Sequence, residues 1–239
     1  MFNAPGKRDR KPAGDLRCDA MPYVASTGCQ WRCRIPSTGW DGNAVRTHVS
    51  SAGRKRNYRQ GSIVLTFPIL TDRLELTPLT HVDRDAFVAY RRMPEVARWQ
   101  SWTPDYTQAD ADDLIASQPS SIESKSGRWL QIAVRCAGAL VGDVAVHALA
   151  DQPDSYEVGA TIAPTSQGSG YATEALSAVI AGLFGAQGAH RVFALSDARN
   201  EPVTRLFQRL GFRHEGRNIA ADWFKGEWTS VDTWAALRT

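Results

Sequence analysis

Residues 167–175 read Gln-Gly-Ser-Gly-Tyr-Ala-Thr-Glu-Ala, and they separate a stretch with strand-like alternation from a stretch with a helical period. The two glycines, Gly168 and Gly170, permit backbone conformations that turn successive N–H groups towards one point. The helix that follows adds the partial positive charge of its N-terminus. The stretch therefore predicts an anion-binding turn suited to phosphates. It is neither a P-loop, since no Lys-Ser/Thr pair follows Gly170, nor a full G-x-G-x-x-G fingerprint.

Strand-like and helix-like patterns on both sides of this turn predict a single α/β domain. The order β α α β β β α β α β, which alternates in its last part, is typical of one such domain of roughly 175 residues. Helices are indicated by an S/T-x-x-acid start at Thr80 and again at Thr107, and by apolar stripes over 176–184 and 203–210. The predicted strands are 73–77, 129–136, 140–148, 156–162, 191–195 and 231–237.

The first 62 residues differ in character from the rest of the chain. Of the 28 Lys and Arg residues, 12 lie within residues 1–60 together with only four Asp, whereas the whole chain has a net charge of +3. No apolar period persists there, so we predict a disordered basic leader at 1–62 and a folded domain at 63–239. The alternatives for this leader are a nucleic-acid-binding arm, an organelle transit peptide and a translation start placed too far upstream. Nucleic acid is not the favoured partner.

Composition also indicates where in the cell the protein is located and whether it binds a metal. No window holds about 18 consecutive apolar residues and the start has no apolar signal region, so we expect no membrane span and a cytoplasmic protein. Cys18, Cys29 and Cys33 match no common zinc-ligand spacing with His48, and Cys136 stands alone. Free thiols and no bound metal are therefore expected.

Six segments, taken in order, resemble one enzyme family. Gln167-x-x-Gly170-x-Ala172 resembles the acetyl-CoA pyrophosphate loop of the GCN5-related N-acetyltransferase (GNAT) family. The longer run over 168–175 resembles the branch of the bacterial ribosomal-protein N-terminal acetyltransferases (RimJ/RimL-like). The other matching segments are Leu-Thr-Asp-Arg-Leu at 70–74, Tyr-Glu-Val-Gly at 156–159, Asn-Glu-Pro at 200–202, Arg-Leu-Gly-Phe at 209–212 and Gly-Glu-Trp at 226–228. The resemblance covers residues 66–239.

The resemblance implies the fold and the way in which the donor binds. The implied fold is a mixed, mostly antiparallel sheet that is splayed at the acetyl-CoA site and flanked by helices. Acetyl-CoA would be the donor in a direct transfer to a primary amine, either a protein N-terminus or a small molecule. The backbone of one strand would pair with the pantetheine arm, and the glycine turn would hold the pyrophosphate. The donor-binding residues implied are Val158, Ala160, Ile162, Gln167, Gly168, Ser169, Gly170, Tyr171, Ala172, Thr173, Asn200 and Phe207.

The resemblance also implies catalytic roles. An ammonium must lose a proton before it attacks, so a base is needed. Glu157 is the preferred base, because strand alternation turns it away from Tyr156 and Val158; an exposed ion pair is the alternative reading. His147 is a reserve base. Asn200 would hydrogen-bond the donor or an ordered water, and it can equally cap the helix that begins at Pro202.

Three positions depart from the family pattern. Phe207 stands where a tyrosine often protonates the leaving thiolate, Val203 where the ribosomal branch often has serine, and Ser169 where Lys or Arg is common. The proton donor is therefore unassigned, with Thr204 and Tyr171 as candidates. A CoA-binding protein without catalytic activity is the alternative function.

Acceptor recognition is assigned to an aromatic region that includes Trp99, Trp102 and Trp129. Several aspartates accompany these rings, and a cationic amine is attracted both to ring faces and to carboxylates. The alternative is that the rings pack beneath the helices and the aspartates are solvated helix starts. The protein is expected to be a monomer or a homodimer.

Overall fold

The computed structural model describes residues 65–238, so the predictions made for the leader at 1–62 lie outside the described part. Within it the helices are α1 (Arg84–Arg91), α2 (Pro94–Ala97), α3 (Gln108–Ser117), α4 (Tyr171–Gly185) and α5 (Glu201–Arg209). The strands are β1 (Ile69–Leu70), β2 (Leu74–Pro78), β3 (Trp129–Cys136), β4 (Ala139–Ala148), β5 (Ser155–Ile162), β6 (Arg191–Asp197), β7 (Arg213–Phe224) and β8 (Glu227–Leu237). None of the helices in this part is long and apolar enough to cross a bilayer.

The eight strands form one mixed sheet in the order β1-β2-β3-β4-β5-β6-β8-β7. All neighbours are antiparallel except β5 and β6, which are parallel. This pair is joined over only three positions, from Ser155 opposite Arg191 to Glu157 opposite Phe193. Beyond Glu157 the two strands separate. The predicted sheet, mostly antiparallel and splayed, is confirmed.

Local sequence signals produce most of these elements as predicted. Thr107 caps α3, because its hydroxyl accepts the Asp110 N–H at 3.2 Å while the Asp110 carboxylate accepts the Thr107 N–H at 2.7 Å. Ala137 and Gly138, both with positive φ, form the two-residue turn of the β3–β4 hairpin.

The prediction missed β1, α2 and β7. Strand β7 lies at the edge of the sheet and is exposed along most of its length. Because neither face of β7 is buried, its sequence shows no polar–apolar alternation.

The sheet has apolar packing on both faces. On one face Ile132, Val144 and Tyr156 pack with Leu176 of α4 and Phe207 of α5. On the other face Ala133 packs with side chains of α1 and α3, among them Phe87 and Leu114. The gap between β5 and β6 therefore opens between two covered faces of the sheet.

Candidate active site

The glycine turn ahead of α4 forms a cradle for an anion. Gly168 and Gly170 have φ values of 78° and 83°, which side chains other than glycine rarely adopt. Gly170 is the N-cap of α4 and supplies no side-chain hydrogen bond, so the first N–H groups of the helix keep their hydrogen-bonding capacity. The turn lines a cavity of about 740 Å³ between α4, α5 and β5. We call it the outer cavity, and its size and donor set fit a phosphorylated ligand.

Arg73, which none of the sequence motifs assigned to the site, lies against this turn. Its guanidinium donates to the Ser169 carbonyl at 3.0 Å and pairs with Glu174 at 2.6 Å. It also lies 4.9 Å from the centre of the Tyr171 ring. Burial is the largest single effect on the pKa of Glu174 and raises it, but the hydrogen bonds from Thr71 and Arg73 and the charge of Arg73 together outweigh burial, so the pKa is lowered. The segment just before β2 therefore places a guanidinium beside Ser169, with its charge paired to Glu174.

A second, smaller cavity of about 80 Å³ continues from the outer one through the gap between β5 and β6. We call it the inner cavity. Ala160, Thr161 and Asn200 line both cavities, so the two form one passage. The side facing α1 and α2 contributes Arg91, Trp99, Gln100, Trp102, Gln131 and Asp143, and the side facing α5 contributes Ser196, Val203, Leu206 and Phe207.

The predicted donor-binding residues lie along this passage, with one exception. Ser169 does not line either cavity, although its carbonyl accepts the bond from Arg73. Asn200 is buried, and its Oδ1 accepts the Val203 N–H at 3.3 Å, so it caps α5 and faces the passage at once. The predicted donor-binding residues that line the passage are Val158, Ala160, Ile162, Gln167, Gly168, Gly170, Tyr171, Ala172, Thr173, Asn200 and Phe207.

Glu157 is buried on the α1–α3 face of the sheet, with 6% of its surface exposed. Its carboxylate lies 3.7 Å from Nδ1 of His147, whose ring stacks on Trp129. Burial raises the pKa of Glu157, against a smaller lowering by His147. This placement rules out the reading of Glu157 as an exposed ion pair.

Gly159 connects Glu157 with the passage. Glu157 itself does not line either cavity, but Val158 and Gly159 line the inner one. Gly159 points to the same face as Glu157, two residues further along β5. A Cβ at Gly159 would have no atom within 4 Å, so the inner cavity is open above this residue, on the face towards which Glu157 points.

Phe207 offers no proton donor, but a serine lies in the same cluster. Phe207 stacks on Trp234 with ring centres 6.2 Å apart. Trp234 Nε1 donates to the Ser196 hydroxyl at 3.2 Å, and Ser196 lines the inner cavity. No acceptor for the Ser196 hydroxyl proton is found within residues 65–238, so this buried proton is free to bond a ligand. Of the earlier candidates, Thr204 lines neither cavity, and the Tyr171 hydroxyl lies 3.4 Å from Cys136 Sγ.

The three predicted tryptophans do not lie together. Trp99 and Trp102 line the inner cavity, whereas Trp129 lines a separate cavity of about 170 Å³ beside α3. Trp102 also packs under α1, because its Nε1 donates to the Arg91 carbonyl at 3.1 Å. Lys225, at the β7–β8 turn, donates to the carbonyls of Ala97 and Trp102 at 2.6 and 2.8 Å. The β7–β8 hairpin thereby contacts the segment that carries Trp99 and Trp102, the two tryptophans that line the inner cavity.

The aspartates that accompany these tryptophans in the sequence have partners outside the inner cavity. Asp110 forms the cap of α3, and Asp112 bonds His81 at 3.0 Å and Arg84 at 3.2 Å. None of these carboxylates lines the inner cavity. The alternative interpretation, in which the aspartates serve as helix starts, is therefore the better description of Asp110.

The family model of the GNAT acetyltransferase domain matches residues 73–213, which include the glycine turn, β5 and α5. The chain belongs to the GNAT family. The GNAT domain has a relative in the uncharacterised N-acetyltransferase YoaA of Bacillus subtilis strain 168, 34% identical over 63% of this chain and 85% of that protein. The family resemblance seen in the sequence is confirmed.

Solved GNAT structures share the fold. RimJ from Mycobacterium smegmatis in complex with CoA-disulfide superposes with a TM-score of 0.61 at 22% identity, over 69% of this chain and 81% of that one. Spermidine N-acetyltransferase from Vibrio cholerae, with CoA and spermine, gives a TM-score of 0.62 at 18% identity, over 70% and 97%. The RimL ribosomal L7/L12 alpha-N-protein acetyltransferase in complex with CoA gives a TM-score of 0.62 at 17% identity, over 71% and 96%. The names of the spermidine and ribosomal-protein enzymes indicate different acceptors, so the fold alone does not select an acceptor.

Proposed function

We propose that this GNAT chain transfers an acetyl group directly from acetyl-CoA to a primary amine. The observation that carries the proposal is the continuous passage through the gap between β5 and β6. One end of the passage is a phosphate cradle, and the other is a small buried cavity lined by polar side chains. A donor held in the outer cavity would present its thioester at the gap, where an amine in the inner cavity can reach it.

The outer cavity would hold the CoA portion through backbone groups and two arginines. The turn at Gly168 and Gly170 and the N-terminus of α4 would bind the pyrophosphate, with the guanidinium of Arg73 beside the turn. Arg209 lines the same cavity from α5. The edge of β5 that β6 leaves after Glu157 would pair with the amides of the pantetheine arm, and a backbone N–H there would polarise the thioester carbonyl.

Once the amine is in its neutral form, the reaction requires one proton to leave the nitrogen and the sulfur to depart. We assign the first step to Glu157, which would accept the proton from the attacking nitrogen through a water above Gly159. The C–N bond forms as the C–S bond breaks, and the sulfur leaves as the thiolate. Ser196 would donate a hydrogen bond to this thiolate, in the place where Phe207 cannot. Asn200 would position the donor or the water at the gap.

The test is release of the CoA thiol by the full chain across a panel of peptide N-termini, amino-acid amides and simple amines. We expect release with at least one class of acceptor and a higher melting temperature in the presence of acetyl-CoA, because a ligand that binds the native state stabilises it. A higher melting temperature without release from any acceptor would favour the alternative function, a CoA-binding protein without catalysis. Absence of both effects would refute the proposal altogether.

A further inference from the structure

The turn between β7 and β8 holds a lysine in a backbone conformation that lysine rarely adopts. Lys225 and Gly226 form this two-residue turn, and Phe224 pairs with Glu227 on either side of it. Their φ values are 50° and 87°. A turn with positive φ at both positions favours Asn-Gly or Asp-Gly, because most side chains with a Cβ are strained there. The geometry of the turn therefore does not account for a lysine at this position.

The contacts of the Lys225 ammonium do account for it. Nζ donates to the Ala97 carbonyl at 2.6 Å and to the Trp102 carbonyl at 2.8 Å. The residue as a whole is exposed, yet desolvation lowers the pKa of Lys225, so its ammonium is partly withdrawn from water. A hydrogen bond from a charged donor is roughly twice as strong as a neutral one. Lys225 therefore fastens the hairpin to two points of the chain just after α2.

The end of the hairpin that presents Lys225 is itself stabilised. Trp223 and Trp228 face each other across β7 and β8, one position outside the Phe224–Glu227 pair. Their rings meet edge to face with centres 5.4 Å apart. Cross-strand aromatic pairs stabilise the two strands that carry them. Both tryptophans are 60% exposed, so their contact strengthens the hairpin and not the core.

The chain that Lys225 holds forms one wall of the passage. Residues 98–107, which we call the wall segment, lie between α2 and α3 and contain no helix or strand. Trp99 and Gln100 of this segment line both cavities, and Trp102 lines the inner one. A segment without regular hydrogen bonding opens locally unless other contacts hold it.

The small size of the inner cavity makes the position of this wall important. The cavity measures about 80 Å³. A movement of the wall that added or removed about 30 Å³, the share of one water molecule in the liquid, would change this volume by more than a third. Misplacing a reactant by a fraction of its own size is enough to slow a transfer reaction.

We propose that Lys225 is a positioning residue for the amine acceptor. It holds the wall segment at a fixed distance from the β5–β6 gap, so that Trp99 and Trp102 keep the inner cavity in its reactive shape. Lys225 lines neither cavity and acts only through this segment. The inference rests on the proposed acetyl transfer and adds a residue to it that lies outside the passage.

The variant that tests the contact is Lys225→Asn. Asparagine suits the turn, but its short side chain does not reach the two carbonyls, so the melting temperature should stay close to that of the wild type. Lys225→Gly, which also fits a positive φ, repeats the test with no side chain at all. Lys225→Arg keeps a charged donor of sufficient length and should behave like the wild type.

The matched control is Lys125→Asn. Lys125 is likewise exposed and has a φ of 63°, but it lies in the loop before β3 and lines neither cavity. The same substitution is thus made in the same backbone conformation, away from the wall segment. It should alter neither the mobility of that segment nor catalysis.

Two measurements on the full chain report the expected effects. Hydrogen exchange over residues 98–107 should be faster in Lys225→Asn and Lys225→Gly than in the wild type, Lys225→Arg and Lys125→Asn. For the acceptors alaninamide and n-butylamine, and for the panel member that the wild type acetylates fastest, kcat/KM should fall roughly tenfold in the first two variants. The Kd of acetyl-CoA in calorimetry should change less than twofold, because the glycine turn and α4 are untouched.

Each contrary result removes a different part of the inference. Unchanged exchange over 98–107 in Lys225→Asn would overturn the anchoring of the wall segment. Faster exchange with kcat/KM within twofold of the wild type would overturn the positioning role, and a loss of acetyl-CoA affinity as large as the loss in kcat/KM would overturn the assignment to the acceptor. Absence of thiol release by the wild type with every acceptor would remove the proposed function and the positioning role with it, whereas hydrogen exchange would still decide the anchoring.

Discussion

Replacing Ser196 with alanine is expected to slow the chemical step while leaving acetyl-CoA binding nearly unchanged. Ser196 is 5% exposed, and its oxygen already accepts one hydrogen bond, from Trp234. Its proton is therefore free to bond the thiolate that forms at the gap. The alanine variant removes this donor but keeps the strand and the volume of the inner cavity nearly intact.

The size of the effect follows from the type of bond. A hydrogen bond to a charged acceptor contributes about 1.5–3 kcal/mol. At about 1.36 kcal/mol per factor of ten, kcat should fall roughly 10- to 150-fold. Leaving the buried Trp234 N–H without an acceptor should also lower the free energy of unfolding by about 1–3 kcal/mol. Urea unfolding measures this second effect separately from catalysis.

The assay is single-turnover thiol release, which reports the chemical step even where product release limits steady-state turnover. Ser230→Ala is the matched control, since Ser230 accepts the Ala220 N–H at 3.0 Å outside both cavities. Adding Phe207→Tyr to Ser196→Ala should restore part of the lost rate, because the new hydroxyl lies in the same cluster. A single-turnover rate within twofold of wild type in Ser196→Ala would refute the reasoning.

Three further predictions concern the base, the proton path and the anion cradle. Glu157→Gln should lower kcat/KM by roughly 10²–10⁴-fold. Because burial raises the pKa of Glu157, wild-type activity should increase with pH around a pKa above that of an ordinary glutamate. The pH profile of the variant should lack this increase. Gly159→Ala should leave the melting temperature unchanged or slightly higher, since its Cβ meets no atom within 4 Å. Its kcat should nevertheless fall, because the methyl group occupies the site of the water proposed to carry the proton to Glu157. An unaltered kcat would contradict this proton path. Arg73→Gln should weaken acetyl-CoA binding in calorimetry roughly tenfold at low salt and less at high salt, whereas Arg213→Gln, on the exposed β7, should have no effect.

Much of the fold was predictable because its signals are local. The cap at Thr107 depends on a residue three positions away, and the turn at Ala137 and Gly138 depends on two neighbours. The stripe that buries Leu176 and Val179 is visible within one helix. Strand β7 escaped prediction for the converse reason, since an exposed edge strand has no buried face to impose a pattern.

The sequence by itself determined the family from six segments in order, and it determined most elements, the glycine turn and the strand face of Glu157 from spacing within a few residues. The burial of Glu157 was decided by the elements that pack over that face. Tertiary structure alone decided which distant groups complete the site. Arg73, just before β2, reaches Ser169 in the glycine turn across 96 positions. Ser196 meets Trp234 across 38 positions, because β6 pairs with β8. Which distant groups meet depends on how the elements pack against one another, and no local pattern encodes that.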